Sequence, residues 1–476
     1  MANKFRIFVR TQPQAPDFRM PIAGEIDEFL SFEAIGRHLD VGTWRLSMAS
    51  DTEQAKLIEP GRGIVLYVEG QQRPVFTGPI DTIQKVKSKD EPGTLTVTGF
   101  CDNIWFGERY LRRNPAQTFS RETEGEWDGH VQVSPGVSIA PTNSAMWIWH
   151  AVLQNFRIPY VDTFNDLTRR IPFMDLPNTA PTEVTSLPND DMWKSFSIKA
   201  HMKPIDELAF ELARRAGLTA RFYWDPETEK IKLTVLPAED KSQTVVFDEQ
   251  AGNLVGQTIV SEAPKATRVI QVGAAPTEDN PRRYYQYRKN VLHNPPGWVS
   301  RPPGTGTDDP TSWSDPYWGR EFIETYWNRT TEGYSDVRDS DYHPTPDASL
   351  VMPDPPPGSE EAQRFDTAQQ VYFVENGIRG QVSLDVIDIE DCTFGTHYHV
   401  GDIVRCLIDT SLLPPDMVDE DGVLRQQIQE VHISSSANEL WKIKPLIGGE
   451  ESSSTPYVYR ELRRLRRLVE ETNERV

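Results

Sequence analysis

Over residues 1–110 apolar and polar positions alternate with a period of two. Phe5, Ile7 and Val9 alternate with Arg6 and Arg10, although Phe8 interrupts the polar face. Trp44, Leu46 and Met48 alternate cleanly. Gly63–Val68 leads into a turn at Gly70, Gln71 and Gln72, and Pro74–Ile80 returns. Leu95, Val97 and Phe100 suit a further strand. Alternation broken by turns about every ten residues predicts a β-barrel or sandwich.

The period changes in the middle of the chain. Asn143–Phe156 reads as a helix, capped by Asn143 or Ser144, with apolar residues all round it; such a helix is buried on more than one side. After Pro204, Ile205, Leu208, Ala209, Leu212, Ala213 and Ala216 follow one 3.6-residue stripe, and Gly217 closes the helix. Leu218, Ala220, Phe222 and Trp224 then alternate, residues 225–230 turn, and Ile231, Leu233 and Val235 return. The unit is a helix followed by a β-hairpin. Residues 121–130 and 171–191, together rich in Pro, Asp, Glu, Thr and Asn, read as loops.

Thr244–Phe247 and Thr267–Val272 read as strands. Residues 291–357 hold twelve prolines together with Trp298, Trp313, Trp318 and Trp327. A loop of this length is unusual unless it is functional or an extended connection, and its tryptophans argue that it is pinned to a surface. Arg320–Trp327 reads as a short helix, and a second runs from Ser359 to Asn376. Gly380–Ile389, Tyr398–Ile408, Leu424–Ser434 and Asn438–Ile447 are strand candidates. A polar linker, Gly448–Pro456, precedes a helical tail in which Leu462, Leu465 and Val469 share a face.

Composition narrows the function classes. The 476 residues carry a net charge of −21, and the pI is about 4.9; stable binding to nucleic acid or to an anionic membrane needs the opposite sign. The mean hydropathy is −0.54, and no run of about 20 apolar residues spans a bilayer. The three cysteines, Cys101, Cys392 and Cys406, are widely spaced and odd in number, which argues against a disulfide framework or a thiolate zinc site. No apolar leader opens the chain, so it is expected to be made in a reducing cytoplasm.

Candidate chemistry is sparse. His397 and His399 would share one strand face near Cys392, but no fourth ligand stands at motif spacing, so a strand edge with half-exposed histidines is the better reading. Asp416–Gly422 lacks the acid that an EF-hand needs at Met417, and Asp421-Gly422 reads as a turn between strands. The acidic clusters Glu124/Glu126/Asp128 and Asp190/Asp191 lie in loop-like sequence without apolar cover. Gly304-Thr305-Gly306 lies among prolines and makes a poor phosphate cradle. No catalytic set, metal or cofactor is expected. Trp313 and Trp318 suit packing or an interface better than sugar stacking. The tail concentrates Arg460, Arg463, Arg464, Arg466 and Arg467 within an acidic chain. With Leu462 and Leu465 they are candidates for partner binding or self-association.

The order of these elements is familiar. GRGIVLYVEGQQRPVFTGPI is followed by GTLTVTGF, then by PIDELAFELARRAGLTARFYWDPETEKIKLTV and FDEQAGNLVGQTIVSEAPKATRVIQVG, and near the end by HYHVGDIVRCLI. With IAGEIDEFLSFEAIGRHLDVGTWRLSM near the start, this resembles the minor tail proteins, or baseplate (tail-tip) hub proteins, of long-tailed actinobacterial phages, over roughly 4–290 and 375–447. The resemblance implies a mainly β protein with an α+β middle and two β-barrel-like hub domains. It implies a homotrimer at the tail tip of the virion that meets a hexameric distal tail protein, the tape measure protein and other tail-tip or fibre proteins. It also implies a part in host attachment, with contact to the host cell surface, and in genome ejection. The expected domains are a first barrel over 1–110, an intermediate domain over 111–235, and a second barrel built from 236–290 with 375–447. An insertion with a helix occupies 291–374, and the linker and basic helix occupy 448–476. The protein is expected to be structural rather than enzymatic. The competing readings are a tail-associated cell-wall hydrolase and a carbohydrate-binding attachment module.

Overall fold

The computed structural model describes residues 5–87, 93–110, 131–132, 141–156, 170–177, 181, 199–200, 204–262, 268–272, 285–288, 299–301, 321–323, 332–336, 379–389, 391–413, 418–419, 421–436 and 441–448. The first β block comprises β1 (Phe5–Arg10), β2 (Ile22–Ile26), β3 (Ser31–Arg37), β4 (Thr43–Ala49), β5 (Gly63–Val68), β6 (Phe76–Val86) and β7 (Thr94–Phe100), followed by a one-turn helix α1 (Ile104–Gly107). The middle holds β8 (Val131–Gln132), α2 (Pro141–Phe156), β9 (Lys199–Ala200), α3 (Ile205–Arg215) and the hairpin β10 (Leu218–Asp225) and β11 (Lys230–Pro237). Next come β12 (Val246–Asp248), β13 (Leu254–Glu262), β14 (Arg268–Val272), β15 (Tyr285–Arg288), β16 (Val299–Arg301), β17 (Glu321–Ile323) and β18 (Glu332–Asp336). The last strands are β19 (Arg379–Val386), β20 (Ile403–Leu407), β21 (Leu424–Ser436) and β22 (Lys442–Gly448).

The two β blocks are one sheet. Its path runs β13-β19-β22-β21-β3-β4-β7-β6-β5-β1-β2, with β20 and β12 branching from β21. The bridge between the blocks is the antiparallel ladder of β21 on β3, from Glu430 opposite Arg37 to Ser436 opposite Ser31. Two long, bent strands let the sheet turn corners. β6 pairs first with β5, up to Pro79, and then from Ile80 with β7, through a bulge between Ile80 and Thr82. β21 pairs first with β20, then with β22 and β3. Bulges of this kind bend a strand and re-aim its side chains. The expected β-rich class holds, but the path is open, and no closed barrel is found among the described residues.

One apolar core serves both blocks. Ile7, Phe32, Leu46 and Val97 of the first block share it with Val382, Val404, Ile428 and Ile447 of the second. Trp441, just before β22, packs its ring against Phe5, Phe29 and Phe32 at centroid distances of 4.9, 5.9 and 5.8 Å. β1 contacts both cores: Ile7 and Val9 are buried in this one, while the partly buried Phe8 packs with Tyr67 against a second core. That accounts for the apolar residue on its otherwise polar face.

The second core belongs to the middle unit. All six residues of the α3 stripe are buried in it, as are Ile148, Trp149, Val152 and Phe156 of α2 and Phe222, Trp224, Ile231 and Val235 of the hairpin. Gly217 ends α3 with φ +63°, as its position predicts. Helix α2 begins at Pro141, two residues before the expected cap, so Asn143 and Ser144 lie inside it. Proline suits a first helical turn because its missing N–H has no partner to lose there.

Other expectations need correction. Glu321–Ile323, expected to be helical, is a short strand paired with Val299–Arg301; the isolated apolar residues of this stretch carry no sustained helical stripe. Residues 398–402 are not strand, and β20 begins only at Ile403. β14 lies outside the large sheet and pairs with β15 and β18. The helix expected over 359–376, Trp298, Trp327, the acidic clusters at 124–128 and 190–191, and Gly304–Gly306 lie outside the described residues.

Candidate functional site

Three parts of the chain meet around a cleft of about 690 Å³. The end of β3 and the β5–β6 turn form one side, the β10–β11 hairpin another, and the loop 395–402 of the second β block the third. Each wall is fixed by local chemistry. In the hairpin turn, Asp225 Oδ2 accepts the Thr228 N–H at 2.9 Å and the Thr228 hydroxyl at 2.8 Å, which shapes an Asx-type turn. The β5–β6 turn uses Gly70 at φ +86°.

The hairpin is docked by polar anchors at each level. Asn103 Oδ1 accepts the Phe222 N–H at 2.9 Å, and Thr77 Oγ1 accepts the Trp224 N–H at 3.2 Å. Trp224 Nε1 donates to the Met20 carbonyl at 3.0 Å. Beneath them, Asp102 receives two bonds from the Arg10 guanidinium at 2.8 and 2.6 Å, one from Thr77 Oγ1 at 2.5 Å and one from Trp105 Nε1 at 3.0 Å. Arg10 and Asp102 are almost wholly buried. A buried carboxylate in this state needs its lone pairs filled, and here four donors fill them.

The third wall closes on the first through Gln71 Nε2, which donates to Thr396 Oγ1 at 2.9 Å. Gly395 at φ +78° and Gly401 at φ +96° place backbone where a side chain would collide: a Cβ on Gly401 would lie 2.7 Å from His38 Nδ1. His38 is half-buried, and desolvation together with the Arg214 charge pushes its pKa down to about 4. It is therefore neutral at pH 7. Arg73 and Arg221 line the cleft together with Glu239, His399 and Asp402. The hydrogen bond from Lys241 lowers the Glu239 pKa further than partial burial raises it. The cleft thus offers polar recognition, with guanidiniums and carboxylates in its lining.

His397 and His399 do not present a shared strand face. They lie in a turn in which the His397 N–H donates to the Thr393 carbonyl at 2.8 Å. His397 Nδ1 accepts the Thr393 N–H at 3.1 Å, and His399 Nδ1 lies 3.7 Å from Asp402 Oδ2. Tyr398 between them is buried in the shared core. Among the described residues no group of three or more His, Cys, Asp or Glu is arranged to hold a metal ion. Burial raises the thiol pKa of Cys101 to about 12 and that of Cys392 to about 11, so these are packed, unreactive thiols. Asp419 Oδ1 accepts the N–H groups of Asp421 and Val423 at 3.1 and 2.8 Å, and Gly422 has φ +77°; this is the turn expected before β21. Arg460, Leu462, Arg463, Arg464, Leu465, Arg466, Arg467, Trp313 and Trp318 lie outside the described residues. Sequence patterning missed the cleft, because its walls come from residues more than 300 positions apart.

Residues 16–449 match the family described as Siphovirus ReqiPepy6 Gp37-like protein. The chain belongs to this family. The match covers the middle unit and both β blocks except β1; the basic tail also lies beyond it. No curated protein matches the chain. Among solved structures, a tail protein from Neisseria meningitidis MC58 is similar at 10% identity and a TM-score of 0.46, with 94% of this chain and 97% of that one covered. The 43 kDa tail protein of prophage MuSo2 from Shewanella oneidensis is similar at 12% identity and 0.45, covering 93% and 97%. Prophage tail protein gp18 from Listeria monocytogenes EGD-e is similar at 8% identity and 0.44, covering 97% and 99%.

Proposed function

We propose that this Gp37-like protein is a structural component of the phage tail tip, the trimeric baseplate hub that closes the tail tube of an actinobacterial siphovirus. In this reading the hub joins the hexameric distal tail protein to distal tip or fibre proteins, meets the end of the tape measure protein, and takes part in host attachment and genome ejection. The observation that carries the reading is the β3–β21 ladder. Two β blocks fused edge to edge into one sheet, over one core, give each chain two β segments held rigidly together. Three such chains around an axis present six segments, the number needed to face a hexamer. The siphovirus family supports the virion setting. The acidity suits a lumen through which DNA passes without being retained. We place contact with other tip proteins at Arg460, Arg463, Arg464, Arg466, Arg467, Leu462 and Leu465, and at Trp313 and Trp318. The role is non-catalytic.

Light scattering of the purified chain over a range of concentrations tests the assembly. A particle three times the 54.2 kDa chain, or a trimer formed on addition of the distal tail protein, is expected. A monomer under both conditions overturns the hub.

A further inference from the structure

The second β block carries an apolar patch with an acidic rim. Val255, Ile387 and Leu407 are 64%, 51% and 42% exposed. Asn253 draws them together. Its carbonyl accepts the Ile387 N–H at 3.0 Å, its Oδ1 accepts the Asp248 N–H at 2.8 Å, and Asp248 is the cross-strand partner of Leu407. Val255 is the extra residue of a bulge in β13, between Leu254 opposite Val386 and Gly256 opposite Asp385. Acids lie close in the chain to these residues: the half-buried Asp248 with the exposed Glu249 beside it, Asp385 opposite Gly256, and the exposed Asp391 and Asp409; one cation, Lys444, stands 3.8 Å from Asp385. Large apolar side chains exposed at a surface and rimmed mainly by acidic charge suit a docking site.

The chain itself holds a segment of matching chemistry. In residues 457–476 the sequence places Leu462, Leu465 and Val469 on one helical face, flanked by Arg460, Arg463, Arg464, Arg466 and Arg467. These five cations sit in a chain of net charge −21. A helix this short gains little stability alone and needs a surface. Reach is sufficient. β22 ends at Gly448 opposite Gln381 of β19, and the patch begins at Val386, about 17 Å further along that strand. The eight residues 449–456 span up to about 27 Å when extended.

We propose that residues 457–476 dock on this patch of their own chain, the leucine face over Val255, Ile387 and Leu407 and the arginines toward Glu249, Asp385, Asp391 and Asp409. Apolar burial supplies most of the binding. The charges set orientation and make the docking sensitive to salt. In the isolated protein the contact is thus held in reserve from outside partners, whether or not the chain assembles as a hub.

Hydrogen exchange of the intact chain tests this directly. Amides of 460–469 are expected to exchange at least tenfold more slowly than in the free 457–476 peptide, at all protein concentrations. Glu249→Lys, Asp385→Lys and Asp391→Lys together should abolish that protection while leaving the β22 amides protected. Adding Arg463→Glu, Arg464→Glu and Arg467→Glu to the same chain should restore it. Free-peptide exchange in the unaltered chain overturns the proposal. So does protection that survives the patch substitutions, or protection that grows with protein concentration, which would mean docking on another molecule.

Discussion

Arg37 and Glu430 stand 393 positions apart in the sequence and form an ion pair at 2.9 Å, with their side chains only 2% and 1% exposed. They face each other at one end of the ladder that joins the two β blocks. Arg37 also donates to the Val41 carbonyl at 3.0 Å, and His432 lies 3.3 Å from the other carboxylate oxygen.

Glu430→Ala leaves a buried guanidinium without its counter-charge. It is expected to cost about 3–5 kcal/mol, read as a lowered urea midpoint. The paired change Arg37→Met with Glu430→Leu removes both charges and should cost far less. An equal loss in both variants would show that the pair contributes little beyond packing.

Burial alone would raise the Glu430 pKa, but the hydrogen bond from His432 and the Arg37 charge and hydrogen bond bring it below the ordinary glutamate value. Its stabilising contribution is therefore present above the unfolded-state pKa of about 4.3. It is lost as pH falls through the lower folded-state value. An acid-unfolding profile of Glu430→Gln should be flatter than that of the unaltered chain below about pH 4.3.

His38 acts in a separate window. Its folded pKa, pushed down to about 4, lies below the unfolded value of about 6.5. Between these values the unfolded chain binds more protons, so stability rises with pH, by at most about 1.4 kcal/mol per unit. His38→Gln should remove this slope between pH 4 and 6.5 in thermal melts while leaving the acid limb below it intact.

Asp102→Ala should disrupt the docking of the hairpin as well as global stability. Arg10 loses both carboxylate bonds, and Thr77, which positions Trp224, loses its acceptor. The expected cost is about 3–5 kcal/mol. Altered near-ultraviolet dichroism from Trp105 and Trp224 should accompany it. Asp102→Asn keeps the shape but not the charge and should fall between the two.

Gly395→Ala should destabilise by about 1–3 kcal/mol. A Cβ there lies 2.5 Å from Val75 Cγ1 and 2.8 Å from Val68 Cγ2, at a φ of +78°. The neighbours belong to the first β block, so the clash pushes the two blocks apart around the cleft. Gly252→Ala, also at positive φ but with no atom within 4 Å, should show only the smaller backbone penalty.

Much of the local structure was legible in the residues. The α3 stripe with Gly217, the hairpin around residues 225–230, and the strands over 44–48, 63–68 and 94–100 all rest on contacts between near neighbours, which periodicity reports. β2, β3 and β13 gave no such signal. β3 is paired along one edge by β21, nearly 400 positions away, and the β13 alternation is broken by the Val255 bulge. Phe8 interrupted the polar face until the second core supplied its partner, and Arg10, which fitted that face, is instead buried against Asp102.

The sequence by itself determined the class of the chain: β-rich ends, a helix–hairpin middle, three scattered cysteines that suit no disulfide framework, and an acidic body with a basic tail. These follow from composition and from interactions within a few residues. Only the tertiary structure decided that the β-rich ends are one sheet over one core, that Arg37 meets Glu430, and that three distant segments enclose a polar cleft. Each of those depends on strand pairing across hundreds of residues. A local pattern cannot specify such pairings, because many registers bury the same apolar face equally well.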